Sequence, residues 1–174
     1  MGALTLTKET GTSSTSSNAY ANHDDALSYS YAHLYAAALQ NNSQQTVEAA
    51  LVWSTRLLDE LVEWHGSRTD IDQALEWPRI GVKDKNGVLY DINEMPTWLV
   101  DATCELARQL LAADRTADDF AGPRGYSRMQ VDTLALDIDK FDRVGMLPDS
   151  VRAIVQPYGT VTGRGATTVR LLRA

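Results

Sequence analysis

The chain has 174 residues, 44% hydrophobic and 22% charged, with 16 basic and 23 acidic side chains and a formal net charge of −7. That composition fits one globular domain able to bury its own core. It excludes a membrane-spanning or signal-peptide-led chain, because no apolar run is long enough, and the single Cys104 excludes an intramolecular disulfide.

The charge is uneven. From residue 23 to 159 there are 12 basic against 22 acidic side chains, a balance of −10, whereas residues 160–174 carry Arg164, Arg170 and Arg173 and no acid. An acidic body repels phosphate, so protein partners suit it better than nucleic acid.

Residues 1–17 end in Gly11-Thr12-Ser13-Ser14-Thr15-Ser16-Ser17, a polar run with little to bury, and read as a flexible arm. Asn22 is a good cap for a first helix, with Asp24 and Asp25 placed to complement its dipole. Leu27, Tyr31, Leu34 and Ala38 then form an apolar stripe. Tyr29, Tyr31 and Tyr35 read as helix-packing residues, the alternative being a stacking platform for bases. Ser43 caps a second helix running to about Glu63, with Val47, Ala50, Leu51, Leu57, Leu58, Leu61 and Trp64 on one face.

Gly66 ends that region. Thr69 or Asp70 is placed to cap a short helix over residues 71–76, which Pro78 stops. Trp64 and Trp77 read as core anchors, and Arg79 as the pair of Glu76 or Asp84. Asn86-Gly87 between Val82 and Val88-Leu89-Tyr90 predicts a hairpin. Pro96 opens a long helix ending near Asp114, with Leu99, Ala102, Leu106 and Leu110 on its apolar face. Cys104 lies among small apolar neighbours and reads as a buried hydrophobe.

Residues 115–126 read as a loop. Strict alternation from Leu134 predicts a half-buried strand. Pro148 opens a last helix bearing Val151, Ile154 and Val155, closed by Pro157 and Gly159. Beyond it lies an apolar, basic, β-prone tail over 160–174 with no strand partner evident in the sequence. Such a segment either frays or adds a strand to the sheet edge of another protein.

Chemistry-bearing constellations are missing. His23, His33 and His65 lie on different elements without metal-ligand spacing. The run 137–142 has a calcium-loop rhythm but lacks the glycine and the terminal glutamate. Gly163-Arg164-Gly165 is too short for a phosphate loop, and Asp59, Glu60 and Glu63 read as a solvated helix face. Neither enzyme activity nor a metal or cofactor is expected.

The run from Leu57-Leu58-Asp59 through Trp64-His65-Gly66-Ser67-Arg68 to Gln73-Ala74-Leu75-Glu76-Trp77-Pro78-Arg79, continuing through Gly81-Val82, Asn86-Gly87 and Met95-Pro96 to Ala102-Thr103-Cys104-Glu105-Leu106-Ala107, resembles tailed-bacteriophage neck proteins. These are head–tail connectors, or adaptors, a group also labelled DnaT-like single-stranded-DNA-binding proteins. The resemblance spans roughly residues 18–157. It implies a mainly α fold: a compact helical bundle (18–159) with a small β-hairpin, between the arm (1–17) and an extended β-prone tail (160–174).

By the same resemblance the chain would be a virion structural protein, assembled in the host cytoplasm. Copies of it would form a ring, twelvefold in relatives, beneath the portal protein, extend the DNA channel and receive stopper or tail proteins. Double-stranded DNA would pass without specific binding. Relatives engage the portal through carboxyl-terminal segments, which points to Arg164, Thr168, Val169, Arg170, Leu171, Leu172 and Arg173. Asp59, Glu60 and Glu63 are the channel-facing candidates. Trp64, Trp77, Pro78 and Arg79 are the structural anchors. The alternative function is a single-stranded-DNA-binding replication accessory, which a basic patch of Arg56, Arg68 and Arg79 would favour.

Overall fold

The computed structural model describes residues 4–116, 128–131, 134–137 and 146–162. It is a mainly α fold. In chain order the helices are α1 (His23–Ala32), α2 (Ala37–Asn41), α3 (Gln44–Leu61), α4 (Thr97–Ala112) and α5 (Asp149–Val155). The strands are β1 (Val62–Trp64), β2 (Ser67–Arg68), β3 (Arg79–Ile80), β4 (Arg128–Val131), β5 (Leu134–Asp137) and β6 (Gly159–Val161). They form three two-stranded antiparallel sheets, β1–β6, β2–β3 and β4–β5.

Helices α3 and α4 are the central pair, with α5, α1 and α2 packed on α4. The caps lie where the sequence signals them. Asn22 and Asp25 form a reciprocal capping box, Ser43 accepts from the Thr46 N–H, and Pro96 and Pro148 stand at the N-caps of α4 and α5. Two apolar clusters share the central pair. One is aromatic, with Tyr20, Trp64, Trp77, Leu99, Leu106 and Tyr158. The other is built of small residues, with Ala21, Ala26, Ala36, Ala50, Cys104 and Ala107 around Leu39 and Leu51.

Four expectations are corrected here. The first concerns α1, which is rotated away from the Leu27–Tyr31–Leu34–Ala38 stripe: it buries Ala26 and Ser30, while Tyr31 is 77% and Leu34 93% exposed. The Asn22–Asp25 box and the Lys8–Asp25 ion pair (2.7 Å) fix that rotation. The helix ends at Ala32, before Leu34 can return to the face. Small residues let α1 approach α4 closely, which Tyr31 on that face would prevent.

Residues 71–76 do not form the expected helix. Asp70 accepts the Asp72 N–H (2.9 Å) and Gln73 Oε1 the Asp70 N–H (2.9 Å), so side chains take up the groups a helical turn would use.

The amino-terminal arm is no loose chain over the described residues 4–17. Glu9 is fully buried, and its carboxylate accepts the N–H groups of Gly11, Thr12 and Ser14 (2.9 Å each) and the Ser17 hydroxyl (3.0 Å). Lys8 bridges to Ala19, and Ser14 O accepts from Ala74. Gly11, at φ +97°, lies so close to the backbone at Asn93 that a Cβ there would stand 2.1 Å from its carbonyl oxygen.

The boundary drawn at 159/160 runs through a strand. β6 pairs with β1, Val62 facing Val161 and Trp64 facing Gly159, so residues 160–162 belong to the body. This pairing joins positions about a hundred apart in sequence and has no local signature.

Candidate functional site

The region 62–82 is held together by one side chain. Arg79 is buried, and its guanidinium donates from Nε to His65 O (2.8 Å), from Nη1 to Glu76 O (3.1 Å), and from Nη2 to Gly66 O (2.9 Å) and Trp64 O (3.4 Å). Nη1 also pairs with the Glu76 carboxylate at 2.6 Å, so of the two partners expected it takes Glu76. A planar, five-donor fork suits such a ring of acceptors. Buried Gln73 completes the loop: its side-chain amide donates to Leu75 O (2.7 Å) and Pro78 O (3.1 Å), and its main-chain carbonyl accepts from Arg68.

Beneath lies the aromatic cluster. Trp64, Trp77 and Trp98 meet with centroids 5.3–6.0 Å apart, and Trp98 stacks on Tyr158 at 3.9 Å. Pro78 follows Trp77 through a cis peptide. Trp98, Tyr20 and Tyr158 are members of this cluster that the stripe analysis missed. Tyr158 stands beside the pairing of β6 with β1, which the sequence did not disclose.

Of the acidic trio, Asp59 leaves the solvated face. It turns inward and accepts the Tyr20 hydroxyl (2.6 Å) and the Glu76 N–H (3.3 Å), while Glu60 and Glu63 remain exposed. Burial pushes its carboxyl up to about 6, against those two hydrogen bonds, which favour the ionised form. A raised folded pKa makes this contribution to stability full below the unfolded value, about 4, and lost as pH rises through about 6. In urea unfolding, Asp59→Asn should flatten the fall in stability between these pH values. Equal slopes for both proteins would refute the assignment.

A second buried carboxylate ties three helices. Glu105 of α4 binds Arg108 (2.6 Å), the Ser150 hydroxyl of α5 (2.8 Å) and the Tyr29 hydroxyl of α1 (2.9 Å). It is held down to about 2 because these hydrogen bonds outweigh its burial. Cys104 beside it is buried and its thiol is pushed well above the ordinary range, mainly by desolvation.

These contacts decide which cations and aromatics reach solvent. Arg79 is committed inside and paired with Glu76, so it cannot join Arg56 and Arg68, both exposed, in a three-arginine patch. Tyr29 packs, whereas Tyr31 and Tyr35 (78% exposed) do not, contrary to their reading as packing residues.

The exposed ribbon at 83–89 turns at Asn86-Gly87. The Asp84 carboxylate accepts the Asn86 (2.8 Å) and Val88 (2.7 Å) N–H groups, and its pKa is lowered by them, the Val88 bond foremost. Lys83 bridges to Leu89 across the ribbon. The carboxyl-terminal candidates Arg164, Thr168, Val169, Arg170, Leu171, Leu172 and Arg173 lie outside the described residues.

Among the described residues no group of three His, Cys, Asp or Glu is placed to hold a metal ion, and no helix is long and apolar enough to cross a membrane. The architecture is thus a small helical domain with a tightly knit loop cradle and an exposed ribbon. The chain belongs to the family described as "Putative DnaT-like ssDNA binding protein", whose model matches residues 4–174. No curated protein and no solved structure gives a significant match.

Proposed function

We propose that the protein is a non-catalytic structural subunit of a phage neck, a head–tail connector that forms a ring beneath the portal, prolongs the DNA channel and receives stopper or tail proteins. The observation that supports this most is where its charge and apolar surface lie. Arg79 and Arg108 are neutralised by Glu76 and Glu105, while Glu60, Glu63 and several large apolar side chains face solvent. The excess of negative charge on the body disfavours holding passing phosphates, even with Lys83 and Lys85 exposed, and exposed apolar groups suit contacts with protein. In this reading the basic segment beyond Thr162 grips the portal.

A second reading, a single-stranded-DNA-binding replication accessory, is favoured by the family's description and by the exposed rings of Tyr31 and Tyr35, which are available for base stacking. One experiment separates the two. Purified protein, whole or truncated after Thr162, is offered to the cognate portal and, in parallel, to labelled single-stranded DNA. Truncation at that point spares β6. Portal capture by the whole chain alone is the expected result. Salt-sensitive DNA binding without portal capture would establish the accessory reading instead.

A further inference from the structure

The cradle, the arm and the Glu105 hub are all consumed by internal contacts. Two exposed apolar patches are not. The first is the corner between α1 and α2, where Tyr31, Leu34 and Tyr35 are 77%, 93% and 78% exposed within five residues of chain. Lone exposed apolar side chains need no explanation, but three together form a patch. The corner is firmly placed. Tyr35 donates its N–H to His33 Nδ1 (3.1 Å), its carbonyl accepts from Arg108 (3.4 Å), and Ala36 next to it is buried.

The second patch is the ribbon, where Val88 and Leu89 are 63% and 59% exposed on a turn braced by Asp84. Both surfaces are preorganised, so little ordering entropy opposes their docking.

Their charges are complementary. Lys83, bridged to Leu89, and Lys85 at the turn have no ion pair among the described residues, unlike Lys8, Arg79 and Arg108. Exposed Asp24 lies two helical turns before Tyr31 on the same face of α1, and it too has no ion pair among the described residues. Asp25 next to it is already bound to Lys8.

We propose that the ribbon of one copy docks on the Tyr31–Leu34–Tyr35 corner of the next, Val88 and Leu89 meeting the exposed leucine and tyrosines while Lys83 and Lys85 face Asp24. Two different patches meeting head to tail make a heterologous contact, which closes into a ring when the rotation allows. The inference deepens the ring reading above and rests on it.

The test is disulfide trapping with Leu34→Cys and Leu89→Cys, carried in separate chains. Native Cys104 is buried and stays silent. Mild oxidation of a mixture of the two variants should give severalfold more cross-linked dimer than either alone, and the doubly substituted chain should give a ladder. Lys83→Glu with Lys85→Glu should lower the yield, and Asp24→Lys added to the partner chain should restore it. Equal cross-linking of Leu34→Cys with itself, or none in the mixture, would overturn this interface. If the same proteins still bind the portal, only the interface falls; if portal capture is also absent, the connector reading falls with it.

Discussion

Arg79→Ala should lose roughly 2–4 kcal/mol of stability in urea unfolding, the cost of removing a buried guanidinium that donates to four main-chain carbonyls; Glu76, its ion-pair partner, is 37% exposed and adds little. The alanine leaves the carbonyls of Trp64, His65, Gly66 and Glu76 facing a void that the guanidinium filled. Each lost charge-assisted bond also removes what holds the 62–82 loop against the tryptophans. Arg79→Lys keeps the charge but replaces the fork with a point donor, and should recover less than half of the loss. A loss below about 1 kcal/mol for the alanine variant would place Arg79 among ordinary surface residues and refute its role as the keystone.

Glu9→Ala should cost about 2–4 kcal/mol, since hydrogen bonds to charged groups are worth more than neutral ones and three backbone N–H groups lose their acceptor together. The variant should also free the arm from the body, so that trypsin cuts after Lys8 much faster than in the parent. Glu9→Gln is only a partial rescue. Its carbonyl oxygen can still accept from Gly11 and Thr12, but the NH2 in place of the other oxygen would face the Ser14 N–H, donor against donor. Unchanged proteolysis with unchanged stability would mean that the carboxylate follows the fold of the arm without causing it.

These two side chains also mark where sequence reading stops. Local chemistry was legible. Asn22 and Ser43 announced their helices, Pro96 and Pro148 opened theirs, Asn86-Gly87 made its turn, and alternation from Leu134 marked a strand. Each signal acts within four or five residues. The polar arm looked loose because composition counts apolar groups and cannot count a buried carboxylate collecting four donors. The face of α1 was misjudged because Lys8, seventeen positions earlier in the sequence, holds Asp25 and with it the rotation. Residues 71–76 failed as a helix because Gln73 and Asp70 gave the backbone better partners. The trio at Asp59, Glu60 and Glu63 split because Tyr20, from before α1, reaches across to one of them.

The strand at 159–161 has a mechanical consequence. Thr162, its last neighbour in the described body, donates both its N–H (2.8 Å) and its hydroxyl (3.2 Å) to Leu61 O, at the final turn of the longest helix. Tension on the segment that follows would therefore arrive first at that carbonyl and pass along α3 into both apolar clusters. A load applied across the β1–β6 pair would peel β6 from β1 one bond at a time, whereas a load along the strands must shear the pairs together. The direction of pull, more than its strength, would decide whether the body holds its tether.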